Sequence, residues 1–117
     1  YRLLAYVIMP SHCHIVVAMA DVPGLGSKNV PRERMTRSLK RYTARECNRL
    51  LGRDGVFWQP ESYDRVVRDE AELERIVRYV EQNPVNAGLC ESPEDWEFSS
   101  ARRRQEAGTA GCHPAAT

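Results

Sequence analysis

The pattern of apolar positions at the start of the chain predicts a β-hairpin. Residues 3–9 alternate and are rich in apolar and aromatic side chains, Pro10 breaks the pattern, and residues 12–19 are predicted to be the antiparallel partner. Successive side chains of a strand point to opposite faces, so His12 and His14 should emerge side by side. The sequence therefore places two imidazoles together near the turn of a hairpin.

A basic amphipathic helix is predicted from about residue 31 to residue 51. Apolar side chains recur near one face, Gly52 is a suitable stop, and basic residues cover much of the remaining surface. The formal net charge of the whole chain is only +1, so this helix concentrates positive charge locally. A solvated helix face and a surface for an anionic polymer are equally good explanations of this charge.

A second helix is predicted over about residues 69–82. Asp69 should be its N-cap, with Glu72 in the position of a capping-box partner. Pro84 should stop the helix, because the residue before a proline disfavours helical backbone. Asn83 is then expected at the helix end, where its amide is free to contact a ligand.

The predicted hairpin and the second predicted helix together supply a candidate catalytic set. Two imidazoles on one strand face can bind a divalent cation, although a pair of surface histidines is the simpler alternative. Tyr79 and Asn83 are four residues apart, so a helix places phenol and amide on one face. With His12, His14 and Asn83 as ligands, the cation would be Mg²⁺ or Mn²⁺, and the Tyr79 phenolate would attack a phosphodiester. A packed helix tyrosine is the simpler explanation of Tyr79 alone.

Composition bounds the class of protein. The 117 residues are 42% hydrophobic, which suits one domain, predicted over residues 1–104 and followed by a disordered tail over 105–117. The four cysteines show no C-x-x-C pair, which argues against a zinc knuckle or a disulfide framework and favours a reducing compartment. No secretory signal or transmembrane run is visible, so we expect a cytoplasmic protein with no membrane partner.

The order of these motifs resembles the REP-associated tyrosine transposases, which are single-tyrosine members of the HUH endonuclease superfamily. The resemblance covers about residues 1–101 and rests on five segments: HCH within an apolar strand, SLKRYTARECNR, FWQPESYDRVVRD, RYVEQNPVNAGL and WEFSSA. It implies an α+β fold, ferredoxin-like, with helices packed on an antiparallel sheet. Members usually have a further strand and helix before the segment that matches Tyr1, and this chain is expected to lack them.

The resemblance also implies an activity. Its members cut and join single-stranded DNA beside a REP hairpin, through a metal-dependent step and a 5′-phosphotyrosine intermediate. Carried over to this chain, His12, His14 and Asn83 are the metal ligands and Tyr79 is the nucleophile. The partner would be single-stranded or hairpin DNA, bound by a monomer or a homodimer. On charge alone, we expect four residues of the basic helix to contact phosphates: Arg37, Lys40, Arg41 and Arg45.

Three alternatives stay open. Tyr63 is a rival nucleophile that approaches in a loop beside Asp64, but it lacks a ligand at helical spacing. A catalytically inactive hairpin-binding protein would bind nucleic acid without divalent metal and leave the strand uncut. A small zinc-dependent regulator would use His12, His14 and a cysteine, and stoichiometric zinc would support it.

Overall fold

The structure, a computed structural model, describes residues 2–18, 32–60 and 62–111. Its elements in chain order are β1 (Arg2–Ile8), β2 (Cys13–Ala18), α1 (Arg32–Leu51), α2 (Glu70–Asn86), a 3₁₀ turn (Pro93–Asp95) and α3 (Ser100–Gly111). This α+β arrangement confirms the predicted class, while the ferredoxin-like topology stays a prediction. Within the described ranges, no helix combines the length and apolar character needed to cross a bilayer.

The chain divides into two compact units. Residues 1–19 and 67–117 form the first unit, and residues 20–66 form the second. Compact units of this kind also occur within a single domain, so the predicted domain over residues 1–104 stays a prediction. The hairpin, α2 and α3 belong to the first unit, and α1 belongs to the second.

β1 and β2 form the predicted antiparallel hairpin. Val7 lies opposite His14, and the Met9 N–H donates to the His12 carbonyl across the turn at 2.8 Å. Alternation places Val16 in the interior, with Ile15 exposed on the other face. The strand pattern and the position of the histidines near the turn are therefore confirmed.

The core of the first unit packs the hairpin against α2. The buried apolar side chains come from both elements and form one cluster: Ala5, Val7, Met9, Val16 and Val80. Partly buried side chains of α2 and the following segment surround this cluster: Leu73, Ile76, Val77 and Trp96. Burial of this apolar surface fixes α2 across the hairpin.

α2 begins where the sequence predicts and ends later. The Glu72 N–H donates to Asp69 Oδ1 at 2.8 Å, which confirms the N-cap, and the Glu72 carboxylate accepts from the Arg68 N–H at 3.1 Å. The prediction that Pro84 stops the helix is wrong, because α2 continues to Asn86. Pro84 is fully buried, and this packing offsets the hydrogen bond that a proline removes from the helix.

The segment between the 3₁₀ turn and α3 covers the outer edge of β1. The Ile8 N–H donates to the Phe98 carbonyl at 2.9 Å, and the Ile8 carbonyl accepts from the Trp96 indole N–H at 2.9 Å. Ser99 is completely buried beside them. These bonds use backbone groups of β1 that the hairpin leaves unpaired.

α3 occupies part of the predicted tail. The helix continues through residues 105–111, so the prediction of disorder is wrong there, and residues 112–117 lie outside the described residues. Ala101 is buried at its start, and Arg102 pairs with Glu106 one turn later at 3.1 Å. The alanines of this segment are good helix formers once the first turn is anchored in this way.

In the second unit, the segment after α1 folds back onto that helix. The Asn48 amide donates to the Gly55 carbonyl at 2.9 Å, and the Trp58 indole N–H donates to Thr43 Oγ1 at 2.8 Å. Gly52 follows the last residue of α1 with φ of +65°, a conformation that favours glycine. The predicted end of the basic helix is therefore confirmed.

Candidate functional site

His12 and His14 lie side by side at the turn of the hairpin. Their ring centroids are 5.1 Å apart and the ring planes are nearly perpendicular, at 88°. His12 is exposed, whereas His14 is half-buried beside the core. The structure thus brings together the two imidazoles that the sequence places on one face.

Tyr79 lies next to this pair. Its ring centroid is 6.0 Å from that of His14, with an interplanar angle of 76°. The tyrosine is 59% exposed, so it is not a packed core side chain. α2 crosses the hairpin through buried Val80, and the neighbouring position on the helix therefore carries the phenol to the histidines.

The environment of His14 favours its neutral form. Burial lowers the pKa of His14, and the nearby His12 imidazole lowers it further. The ring is then neutral at neutral pH, which is the form that ligates metals.

Ser11 contacts the outer face of the pair and was not predicted. Its Oγ lies 3.2 Å from Nδ1 of His12. In the tautomer in which Nδ1–H donates to this oxygen, Nε2 of His12 keeps its lone pair for a ligand. The only sequence signal is that Ser11 directly precedes the first histidine.

Asn83 lies one turn beyond Tyr79 on α2, as expected from its spacing. Its Nδ2 atom is buried and has no hydrogen-bond partner among the described residues. Buried amides are nearly always paired, and amide nitrogen and oxygen positions are interchangeable by rotation. The role of the Asn83 oxygen as a metal ligand stays a prediction.

Mg²⁺ or Mn²⁺ at this site stays a prediction, whereas the zinc alternative can be compared with the structure. Across the described residues, no group of three or more His, Cys, Asp or Glu side chains could hold a metal ion. The zinc set of His12, His14 and a cysteine is therefore unsupported. The predicted set of two imidazoles and the Asn83 amide oxygen would leave room for water and phosphate oxygens in the shell of a harder cation.

The four predicted phosphate contacts lie on α1, in the second unit. Arg37, Arg41 and Arg45 recur every four residues, are exposed, and form no ion pair with a described residue. Like charges at this spacing repel one another, and a polyanion would relieve the repulsion. Lys40 differs, because its ammonium donates to the Gln59 carbonyl at 3.0 Å.

Tyr63, the rival nucleophile, also belongs to the second unit. It is 98% exposed and lies in a stretch without regular secondary structure before α2. Tyr79 is the tyrosine that the structure places beside a predicted metal ligand.

A second polar cluster was missed by the sequence reasoning. Glu81 of α2 is almost fully buried and pairs with Ser100 and Arg104 of α3. Leu73 and Val77 precede it at four-residue spacing, so a carboxylate continues an apolar stripe. That break in the stripe was the available signal of an internal ion pair.

Fold and site together define an α+β protein in which a strand histidine pair and a helix tyrosine share one surface. The chain is 26% identical over 110 residues to the putative REP-associated tyrosine transposase of Haemophilus influenzae. It is 24% identical over 103 residues to the REP-associated tyrosine transposase of Escherichia coli. Both alignments cover 88% of this chain, and they confirm the resemblance read from the motifs.

The alignments cover only part of each relative. The chain spans 60% of the length of the first protein and 56% of the second. No family model matches the chain, and no solved structure matches it significantly.

Proposed function

We propose that this chain carries the catalytic segment of a transposase that cuts and joins single-stranded DNA at REP hairpins. The observation that carries the proposal is the position of exposed Tyr79, 6.0 Å between ring centroids from His14, which itself lies 5.1 Å from His12. A nucleophilic side chain beside potential metal ligands is what metal-assisted phosphoryl transfer requires. The names of the two relatives support the same role.

In this proposal, Tyr79 supplies the nucleophile. Its phenolate oxygen forms a bond to phosphorus, the bond to the 3′-oxygen breaks, and that oxygen takes up a proton from solvent. The products are a 5′-phosphotyrosine and a free 3′-hydroxyl. Because one phosphoester replaces another, a 3′-hydroxyl can later attack the phosphotyrosine and restore the strand without ATP.

The remaining residues prepare the step. His12, His14 and Asn83 would hold a divalent cation, which when bound polarises the phosphodiester and stabilises charge on the leaving oxygen. Partial burial keeps His14 neutral, and α2 holds the phenol beside it. Arg37, Arg41 and Arg45 would bind the phosphates of the strand through their exposed guanidinium groups.

The test is capture of the covalent intermediate. A single-stranded oligonucleotide with a REP hairpin, labelled at its 3′ end, is incubated with the protein in Mg²⁺ or Mn²⁺ and analysed on a denaturing gel. We expect a labelled adduct with wild type and with Tyr63→Phe, and none with Tyr79→Phe. The exposed ring of Tyr79 should make Tyr79→Phe neutral for folding, within about 0.5 kcal/mol. An adduct lost only with Tyr63→Phe would overturn the assignment.

The same assay separates catalysis from binding alone. Adduct formation should disappear when EDTA removes the cation, or when His12 and His14 are replaced by Ala. Hairpin binding that persists unchanged in EDTA, with the strand left uncut in every metal, would replace the enzyme with a catalytically inactive hairpin-binding protein.

A further inference from the structure

The Glu81 carboxylate accepts three side-chain hydrogen bonds from α3. It is 6% exposed, and its carboxylate accepts from the Ser100 hydroxyl at 2.5 Å. The Arg104 guanidinium donates to both carboxylate oxygens, at 2.6 Å and 3.1 Å. Two donors from α3 thus hold one side chain of α2 by both oxygens.

The charge of this carboxylate is retained despite its burial. Burial raises the pKa of Glu81, but the hydrogen bonds from Arg104 and Ser100 and the charge of Arg104 outweigh that effect, so its pKa lies below the ordinary value. A buried carboxylate without these partners would strongly disfavour folding. Glu81 can therefore occupy the interior only while α2 stays aligned with α3.

Ser100 extends the same junction to the hairpin. Its Oγ accepts from the Tyr6 N–H at 3.1 Å and lies 3.2 Å from the Tyr6 carbonyl. Since the hydroxyl has one proton, it donates to either the Tyr6 carbonyl or Glu81, and the contact to Glu81 is the shorter. The Ser100 hydroxyl of α3 therefore links β1 and α2.

The junction lies on the opposite side of α2 from the nucleophile. Glu81 follows Tyr79 by two residues, which is about 200° around a helix, so one side chain points inward when the other points outward. A rotation of α2 by about 10° would move a side chain about 6 Å from the helix axis by about 1 Å. Misplacement by about 1 Å is enough to slow a positioned reaction about 100-fold.

We propose that Glu81 is the positioning residue of the site: by holding Ser100 and Arg104, it fixes the rotation of α2 and so the approach of Tyr79 to His14. The inference rests on the proposed role of Tyr79 as nucleophile. Glu81 itself contacts neither histidine, and its role is exerted through the helix that carries the phenol.

The experiment compares three variants of the full 117-residue chain. Glu81→Ala removes all three hydrogen bonds, and Glu81→Gln keeps an acceptor oxygen at the same place. Glu74→Ala is the matched control, because Glu74 is an exposed carboxylate on the same helix. Each variant is studied below its own melting temperature, by the NOE between the His14 and Tyr79 ring protons and by single-turnover adduct formation at saturating oligonucleotide.

We expect Glu81→Ala to lose the NOE and to form the adduct about 10- to 100-fold more slowly, with unchanged Kd for the oligonucleotide. Glu81→Gln should restore the NOE and most of the rate, and Glu74→Ala should match wild type. If Glu81→Ala does not fold, Arg104→Ala takes its place, because it weakens the same junction from its exposed side. Its NOE should weaken and its rate should fall in parallel.

Two results would overturn the positioning role. One is a wild-type NOE and rate in Glu81→Ala, or in Arg104→Ala if that variant is used. The other is a slower rate that Glu74→Ala reproduces. Failure of the wild type to form any adduct would instead refute the proposed function, and the NOE would still decide whether Glu81 sets the position of Tyr79.

Discussion

Replacement of Val80 by Ala tests the packing on which the site depends. Val80 is 3% exposed and belongs to the buried cluster that joins α2 to the hairpin. The substitution removes two methyl groups, worth about 0.8 kcal/mol each by transfer, and leaves a cavity that adds a further cost. We therefore expect a loss of about 2–3 kcal/mol in the free energy of unfolding.

Urea denaturation followed by circular dichroism measures this loss, and the slope m should not change. At about 2.1 cal/mol/K per residue, an unfolding entropy of about 0.25 kcal/mol/K lowers Tm by about 8–12 °C. The control is Val56→Ala, since Val56 is 80% exposed and should cost less than about 0.5 kcal/mol. An equally small effect of Val80→Ala would mean that α2 is not packed on the hairpin, and Tyr79 would lose its physical reason to lie beside His14.

Three further predictions concern charge and hydrogen bonding. Replacing Arg37, Arg41 and Arg45 together by Gln should reduce the slope of log affinity against log salt for single-stranded DNA by about 2, measured by fluorescence anisotropy. An unchanged slope would mean that these arginines do not contact the DNA phosphates. Acidification below about pH 6.5 should destabilise wild type more than His14→Gln, because the folded state lowers the pKa of His14 and the unfolded chain takes up the proton first. Urea denaturation at about pH 7.5 and 5 tests the direction of this effect. Equal losses of stability in wild type and His14→Gln would contradict it. Trp96→Phe should cost about 1 kcal/mol in the same assay, because the Ile8 carbonyl loses its indole donor; no loss would mean that this bond adds nothing to stability.

The local parts of the site were predictable from the sequence. Strand alternation was enough to place His12 and His14 together, because a period of two is fixed by backbone geometry. The Asp69 cap also follows from a local hydrogen bond. In each case the contacting residues are a few positions apart, so no knowledge of the tertiary fold was needed.

The contacts between distant segments were not predictable in the same way. The position of Tyr79 beside His14 depends on how α2 crosses the hairpin, and the spacing of residues within each element does not determine that crossing. The pairing of Glu81 with Arg104 joins residues 23 positions apart. Such pairs are selected by burial in the folded chain, which local propensity does not describe.

Two local rules gave the wrong result for the same reason. Pro84 was expected to end α2, and a run of small residues was expected to leave 105–111 without structure. In both places tertiary packing outweighs the local preference: Pro84 is fully buried, and α3 is anchored by buried Ala101.

The proline within α2 has a mechanical consequence. Pro84 has no N–H for the Val80 carbonyl, so the turn from Val80 to Pro84 has one backbone hydrogen bond fewer than an uninterrupted helical turn. Bending is least costly at such a point. Any bending of α2 should therefore concentrate in the turn that directly follows Tyr79, while the helical hydrogen bond between the Asn83 N–H and the Tyr79 carbonyl keeps these two residues together.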